Sequence, residues 1–286
     1  MLQDAGFEII NNPYRRRLTE LEIIDHISNV DGLIAGLEPL SNNVLETAKH
    51  RLKAIARVGI GISNVDVAAA NRLGIKVSNT PEGPTEAVSE MTIGALLNCT
   101  RHISFMSDSV RSGEWNKIIG LSLSEMTILI IGYGRIGKRV SELLKPFGCN
   151  IIIHDPFLGD RDNDGITWVD LEEGLKIADC ITIHASGNQV LLDENEFRLM
   201  KKGMILLNSA RGELVNEEAL ANALDKGVVA SCWFDSFIIE PYSGILTKYK
   251  QAILTPHSAT YTRKCRYDME TQAVSNLLHD LAYMNH

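Results

Sequence analysis

The sequence predicts an α/β fold: mostly parallel sheet flanked by helices. Three observations carry the prediction. Short β-rich apolar runs alternate with longer stretches of helical period along the chain. Most of these runs are continuously apolar rather than alternating, which fits strands covered on both faces and hence parallel pairing. One run leads directly into a glycine-rich turn followed by a helical pattern, the join found in βαβ units.

The expected strands are Phe7–Ile10, Gly32–Ala35, Lys53–Val58, Lys76–Ser78, Thr127–Ile131, Ile151–His154, Cys180–His184, Met204–Asn208, Val228–Trp233 and Ala252–Leu254. The longest helical pattern runs from Thr85 to Arg111, and a last helix is expected from Gln272 to Leu281. Between Lys76–Ser78 and the long helix stands Thr80-Pro81-Glu82-Gly83-Pro84. Its two prolines end any earlier element, so a domain boundary is expected there, with the following helix as a crossover. A length of 286 residues allows one large or two modest domains, at roughly 150 residues each.

Composition narrows the class. Hydrophobic residues are 45% and charged residues 22%, which is globular rather than disordered. The formal charge of −8 argues against a nucleic-acid partner. No apolar run reaches the roughly 20 residues of a membrane helix. The opening residues lack a secretory pattern, so a cytoplasmic protein is expected. Cys99, Cys149, Cys180, Cys232 and Cys265 are far apart in sequence, with no Cys-x-x-Cys. Neither a metal site nor a disulfide framework is therefore expected.

Residues 126–139 read MTILIIGYGRIGKR. Gly132, Gly134 and Gly137 form G-x-G-x-x-G between a strand and a helical pattern, so the motif stands in its required context. Such glycines permit a tight turn and let backbone amides approach a pyrophosphate, helped by the helix dipole. The next strand ends at Asp155, 18 residues beyond Gly137, close to the spacing of about 20 for a ribose-binding acid. A carboxylate there accepts ribose hydroxyls and repels a 2′-phosphate, so NAD is preferred over NADP. Arg161 lies nearby and weakens that preference.

Three more strand ends carry reactive groups. Arg211 follows Met204–Asn208, Asp235 and Glu240 follow Val228–Trp233, and His257 follows Ala252–Leu254. Ligands of open α/β sheets bind at that edge. An arginine, an acid and a histidine there suit hydride transfer to a 2-oxo acid. Arg211 anchors the carboxylate and polarises the carbonyl. His257 moves the hydroxyl proton. Glu240 orients the imidazole.

With these motifs in place the chain resembles the D-isomer-specific 2-hydroxyacid dehydrogenases, most closely the phosphoglycerate-dehydrogenase-like members. Further matching pieces are Arg57-Val58-Gly59-Ile60-Gly61, Asn79-Thr80-Pro81, Thr85 to Glu90, Ser209-Ala210-Arg211-Gly212, Glu240-Pro241 and Thr255-Pro256-His257. The resemblance covers nearly the whole chain. It implies two doubly wound parallel-sheet, Rossmann-like domains around a cleft. The substrate domain would be discontinuous, 1–83 plus 263–286, and the NAD-binding domain 84–262. It implies Arg211, Glu240 and His257 as the catalytic trio. Gly132, Gly134, Arg135, Ile136 and Gly137 would meet the pyrophosphate, Asp155 the ribose and Asp235 the nicotinamide carboxamide. Thr80 and Ser209 would flank the cofactor. Gly59 and Gly61 would offer backbone donors to the substrate carboxylate, and Arg57 would contact substrate. The partner would be a small 2-hydroxy or 2-oxo acid, with 3-phosphoglycerate favoured, and the chain would form a homodimer or homotetramer. The alternatives are an NAD-binding, corepressor-like regulator or an inactive truncated paralogue.

The sequence departs from the family in three places. Met1–Glu8 matches the end of the family's first helix and its second strand, so the first strand has no counterpart and a weakened substrate domain is expected. In His184-Ala185-Ser186-Gly187-Asn188 the Pro-Leu-Thr that usually follows the family's His-x pair is missing. Arg15-Arg16-Arg17 reads either as a phosphate holder or as a solvated basic turn. After the last helix no appended regulatory module is expected.

Overall fold

The computed structural model describes residues 1–157 and 166–283. The chain divides into two units, Met1–Pro84 with Tyr261–His286, and Thr85–Thr260. Arg161 lies outside the described residues.

In the first unit Thr19 opens α1 (Glu20–Ile27) with a capping box: its hydroxyl accepts from the Glu22 amide while Glu22 accepts from the Thr19 amide, which satisfies two otherwise orphan donors. Then come β1 (Gly32–Ala35), α2 (Asn42–Ala48), β2 (Ala54–Arg57), α3 (Val67–Arg72) and β3 (Lys76–Asn79). The three strands form a parallel sheet in the order β1-β2-β3. Ile55 faces a core shared with Ile23, Ile27, Val44, Leu45, Ala69 and Ala70 of the three helices. Ala54 and Ala56 face the opposite way, toward Ala273, Leu277 and Leu281. The central strand is thus covered on both faces.

Phe7–Ile10 forms no strand, contrary to expectation. Its side chains stay exposed, Ile10 to 58%. A strand exists only by its ladder, and β1 pairs with β2 alone. The outer edge of β1 is thus open, and the run lays down no ladder on it, so apolar composition alone does not make it a strand.

The second unit begins with α4 (Pro84–Arg101) and α5 (Ile103–Arg111). The single helix expected from Thr85 to Arg111 is therefore two. His102 sits at φ +53, in the left-handed region, which ends the α4 ladder. Asn98 bridges the break: its amide donates to Ser104 Oγ at 2.6 Å and its carbonyl accepts from the Ser104 amide at 2.8 Å. Both segments keep helical period, so periodicity alone cannot show the break.

The remaining elements are β4 (Thr127–Ile131), α6 (Arg135–Leu144), β5 (Asn150–His154), β6 (Thr167–Trp168), α7 (Leu171–Ile177), β7 (Cys180–Ile183), α8 (Glu194–Leu199), β8 (Met204–Asn208), α9 (Glu217–Asp225), β9 (Val229–Phe234) and β10 (Ala252–Leu254). They build a seven-stranded parallel sheet in the order β10-β9-β8-β7-β4-β5-β6. The two-residue β6 is too short to leave a sequence pattern. Ile128 and Ile130 pack with residues of α4 and α6, whereas Leu129 and Ile131 pack with residues of α7, α8 and α9. Continuous apolar strands follow from this two-sided burial. The chain runs outward from β4 in both directions, so strand order reverses between β4 and β7. In open α/β sheets such a reversal opens a crevice at the strand carboxyl ends.

The chain returns to the first unit as α10 (Arg263–Tyr283), longer than the expected Gln272–Leu281. Leu277 of α10 lies 2.9 Å from where a Gly32 Cβ would stand. Among the described residues no helix is long and apolar enough to cross a membrane.

Candidate active site

The glycine turn stands at the β4–β7 reversal. Gly132 has φ +92, and a Cβ there would lie 2.6–2.7 Å from the His184–Ala185 backbone at the end of β7. A Cβ on Gly137 would press on the Gly132 carbonyl. These two glycines are required by the packing of the chain on itself. Gly134 is different, because a Cβ there would meet nothing within 4 Å. It is the N-cap of α6, and no side chain caps that end. The amides of Arg135 and Ile136 therefore open onto a space that a side chain at 134 would fill. Donors, dipole and open space suit a pyrophosphate.

Asp155 is locked against this turn. Its Oδ2 accepts from the Tyr133 amide at 2.8 Å and its Oδ1 from the Phe157 amide at 2.9 Å. With about four lone-pair sites on a carboxylate, capacity for ribose hydroxyls remains. These features fit a dinucleotide of the NAD type.

The trio follows three neighbouring strands, β8, β9 and β10. Asn208, fully buried at the end of β8, folds the turn that carries Arg211. It accepts from the Ala210 amide at 3.0 Å and donates to the Arg211 carbonyl at 2.8 Å. Arg211 Nη1 donates to the Ala210 carbonyl at 2.8 Å. Ser209 Oγ lies 3.4 Å from His184 Nδ1, and His184 Nε2 lies 2.9 Å from Thr182 Oγ1. Burial pushes the His184 imidazole down to about 3, so this ring is neutral near pH 7.

Past β10, His257 adopts φ +50, a strained backbone for a residue with a side chain. Asp235, only 2% exposed, holds that loop. It accepts from Thr255 Oγ1 at 2.6 Å and from the Ser258 and Ala259 amides, each at 2.9 Å. Thr255 Oγ1 in turn accepts from Trp233 Nε1 at 2.9 Å. His257 Nδ1 meets both oxygens of Glu240, at 2.9 and 3.0 Å, and Glu240 Oε1 also accepts from the Phe237 amide at 3.1 Å. A carboxylate on Nδ1 calls for the proton there, leaving Nε2 as the exchangeable position. The Arg211 segment abuts this loop: a Gly212 Cβ would lie 2.5 Å from the Ile238 amide nitrogen.

The structure thus brings Arg211, Glu240 and His257 to adjacent strand ends. It gives Asp235 a role the sequence did not disclose, since three of its acceptor sites serve the His257 loop. Asn208 was missed for the same reason: a buried polar residue at a strand end looks ordinary until its partners are known. The remaining expected residues lie in the first unit and form their own cluster. Thr80 is fully buried; its Oγ1 accepts from the Gly59 amide at 2.7 Å and its amide donates to the Gly59 carbonyl at 3.1 Å. The donor of Gly59 expected for substrate is thus engaged by Thr80. Gly59 has φ +131, and a Cβ there would collide with the Arg57 guanidinium, which itself donates to the Val58 carbonyl. Gly61 follows in the same loop. In the basic turn, Arg16 is paired with Glu22 at 2.6 and 2.9 Å.

The chain is similar to known proteins over most of its length. Residues 93–259 match the family described as D-isomer specific 2-hydroxyacid dehydrogenase, NAD binding domain. The chain is 37% identical to glyoxylate reductase of Aeropyrum pernix, over 80% of this chain and 73% of the relative. It is 34% identical to D-3-phosphoglycerate dehydrogenase 3 (chloroplastic) of Arabidopsis thaliana, over 86% of this chain and 43% of that protein. The chain spans about half the length of the phosphoglycerate dehydrogenases it matches. The crystal structure of the TT0316 protein from Thermus thermophilus superposes with a TM-score of 0.87 at 32% identity, covering 98% of this chain and 92% of that one. The chain belongs to the D-isomer specific 2-hydroxyacid dehydrogenase family, and its second unit is the family's NAD-binding domain.

Proposed function

We propose that the protein is an NAD-dependent dehydrogenase that interconverts a D-2-hydroxy acid and its 2-oxo acid, with 3-phosphoglycerate the favoured substrate. The observation that carries the reading is the His257–Glu240 pair, beside the segment of Arg211 and at the carboxyl ends of strands in the same parallel sheet as the glycine turn. NAD, when bound, supplies the hydride acceptor. Arg211 captures the substrate carboxylate and polarises the carbonyl. His257 Nε2 takes the hydroxyl proton in oxidation and returns it in reduction. Glu240 holds the imidazole by accepting at Nδ1, which keeps Nε2 toward the substrate.

The amides of Arg135 and Ile136 hold the pyrophosphate, Asp155 the ribose, and Ser209 flanks the cofactor. Asp235 serves the nicotinamide carboxamide with its remaining acceptor capacity. Arg57 and the Gly59–Gly61 loop make the first unit the substrate domain. The phosphorylated substrate is favoured by the relatives named phosphoglycerate dehydrogenase, and the glyoxylate reductase names its main competitor. Five free cysteines, four of them buried, fit a reducing compartment such as the cytoplasm. A homodimer or homotetramer is supported by the apolar side chains that α5 and the segment after it leave exposed.

The test is NADH absorbance with a panel of 2-oxo acids, including the phosphorylated one derived from 3-phosphoglycerate. Fastest turnover of that acid bears the proposal out. Preference for glyoxylate overturns the substrate, and NADH binding without turnover of any acid overturns the enzyme in favour of a nucleotide-sensing regulator.

A further inference from the structure

The loop between β9 and β10 carries Glu240, and Tyr242 anchors it. The Tyr242 ring stacks on Phe237 with centroids 4.0 Å apart and planes at 20°. Its hydroxyl donates to Glu217 Oε2 at 2.8 Å and accepts from the Leu246 amide at 3.1 Å. Gly244 closes over the same ring, where a Cβ would come within 2.5–2.6 Å.

Glu217 is the first residue of α9 and follows shortly after Arg211. One phenol therefore ties the segment of Arg211 to the loop of Glu240. From the ring the path to the site is short. Phe237 lies under the stack, and its amide donates to the same Glu240 oxygen that His257 Nδ1 meets. Burial above all, with the Glu217 carboxylate adding to it, pushes the phenol pKa up, so the hydroxyl stays a donor near neutral pH.

We infer that Tyr242 is a positioning residue of the proposed reaction, holding Glu240 against His257 by bonding its loop to Glu217. The inference rests on the dehydrogenase reading. The bond to Glu217 fixes the ring, the ring fixes Phe237, and the Phe237 amide fixes the carboxylate. Freed of that bond, Glu240 spends less time on Nδ1 and the imidazole is less often aimed for proton transfer. The pyrophosphate and ribose contacts, which lie at the ends of β4 and β5, are untouched.

Tyr242→Phe keeps the stack and removes both hydroxyl bonds. It should lower kcat about tenfold, through looser aim of the imidazole rather than loss of the proton carrier, with the Kd for NADH unchanged in a fluorescence titration. Glu217→Ala should reproduce the loss. Glu217→Gln, which keeps an acceptor, should lose less. The double variant Tyr242→Phe with Glu217→Ala should be no worse than either alone. Amide exchange across 255–259 should quicken in Tyr242→Phe. Unchanged kcat, an equal loss of NADH affinity, or additive losses in the double variant would overturn the inference. If the wild-type protein reduces no 2-oxo acid, the dehydrogenase reading fails by itself. The exchange measurement then decides for Tyr242: quickening across 255–259 supports its positioning role, and an unchanged rate overturns it.

Discussion

At the scale of single residues the proposed chemistry rests on His257, whose left-handed backbone is held by neighbours rather than by its own preference. Replacing it with Asn removes the proton carrier and leaves the glycine turn intact. Turnover should fall by about a hundredfold or more, with NADH affinity unchanged by fluorescence titration. Comparable losses in both would mean the ring contacts the cofactor instead. Asp235→Ala strands the Thr255 hydroxyl and two backbone amides. It should cost about 1–3 kcal/mol in urea unfolding. His184 adds a pH dependence with a definite sign. Its pKa is about 3 in the fold against 6.5 for the free side chain. Between those values only the unfolded chain takes up the proton, so stability falls as pH drops through that window. The loss is at most about 1.4 kcal/mol per pH unit. His184→Gln should flatten the melting temperature between about pH 6.5 and 4.5, above the range where most carboxylates titrate. A variant with the wild-type slope would assign the lability elsewhere.

Among the elements, the β4–α6 turn separates what packing requires from what a ligand requires. Gly137 has no room for a Cβ, whereas Gly134 has open space around it. Gly137→Ala should therefore lower the melting temperature. Gly134→Ala should leave it unchanged and still weaken NADH binding, since the methyl group enters the space in front of the α6 amides. If calorimetry and NADH titration show Gly134→Ala to be neutral in both, the pyrophosphate does not lie there. Element scale is also where local reading reached its limits. Phe7–Ile10 has the composition of a strand but joins no ladder and stays exposed. Thr85–Arg111 has the period of one helix but is broken at His102, with Asn98 bonding across the gap. In both cases a long-range or backbone circumstance overrides a sound local pattern.

On the scale of the whole molecule, the second unit leaves a conspicuous apolar surface. Trp115 is 80% and Ile119 98% exposed, with Phe105 and Val110 of α5 nearby in sequence. Large apolar side chains this exposed are the kind that an interface between copies would cover. Sedimentation should show an oligomer that Trp115→Glu with Ile119→Glu converts to a monomer, and a double variant that sediments like the wild type would place the contact elsewhere. By itself the sequence determined the α/β class, nearly all the strands, the G-x-G-x-x-G turn with Asp155, and the placing of Arg211, Glu240 and His257 after successive strands. All of these are written in periodicity, turn chemistry and short spacings, which are properties of contiguous residues. Only the tertiary structure decided the strand order that sets the glycine turn at a reversal, the pairing of Glu240 with His257, the role of Asp235 beneath the His257 loop, and the bond from Tyr242 to Glu217. Those depend on contacts between segments far apart in the chain, and such contacts exist only once parallel strands have brought their carboxyl ends side by side.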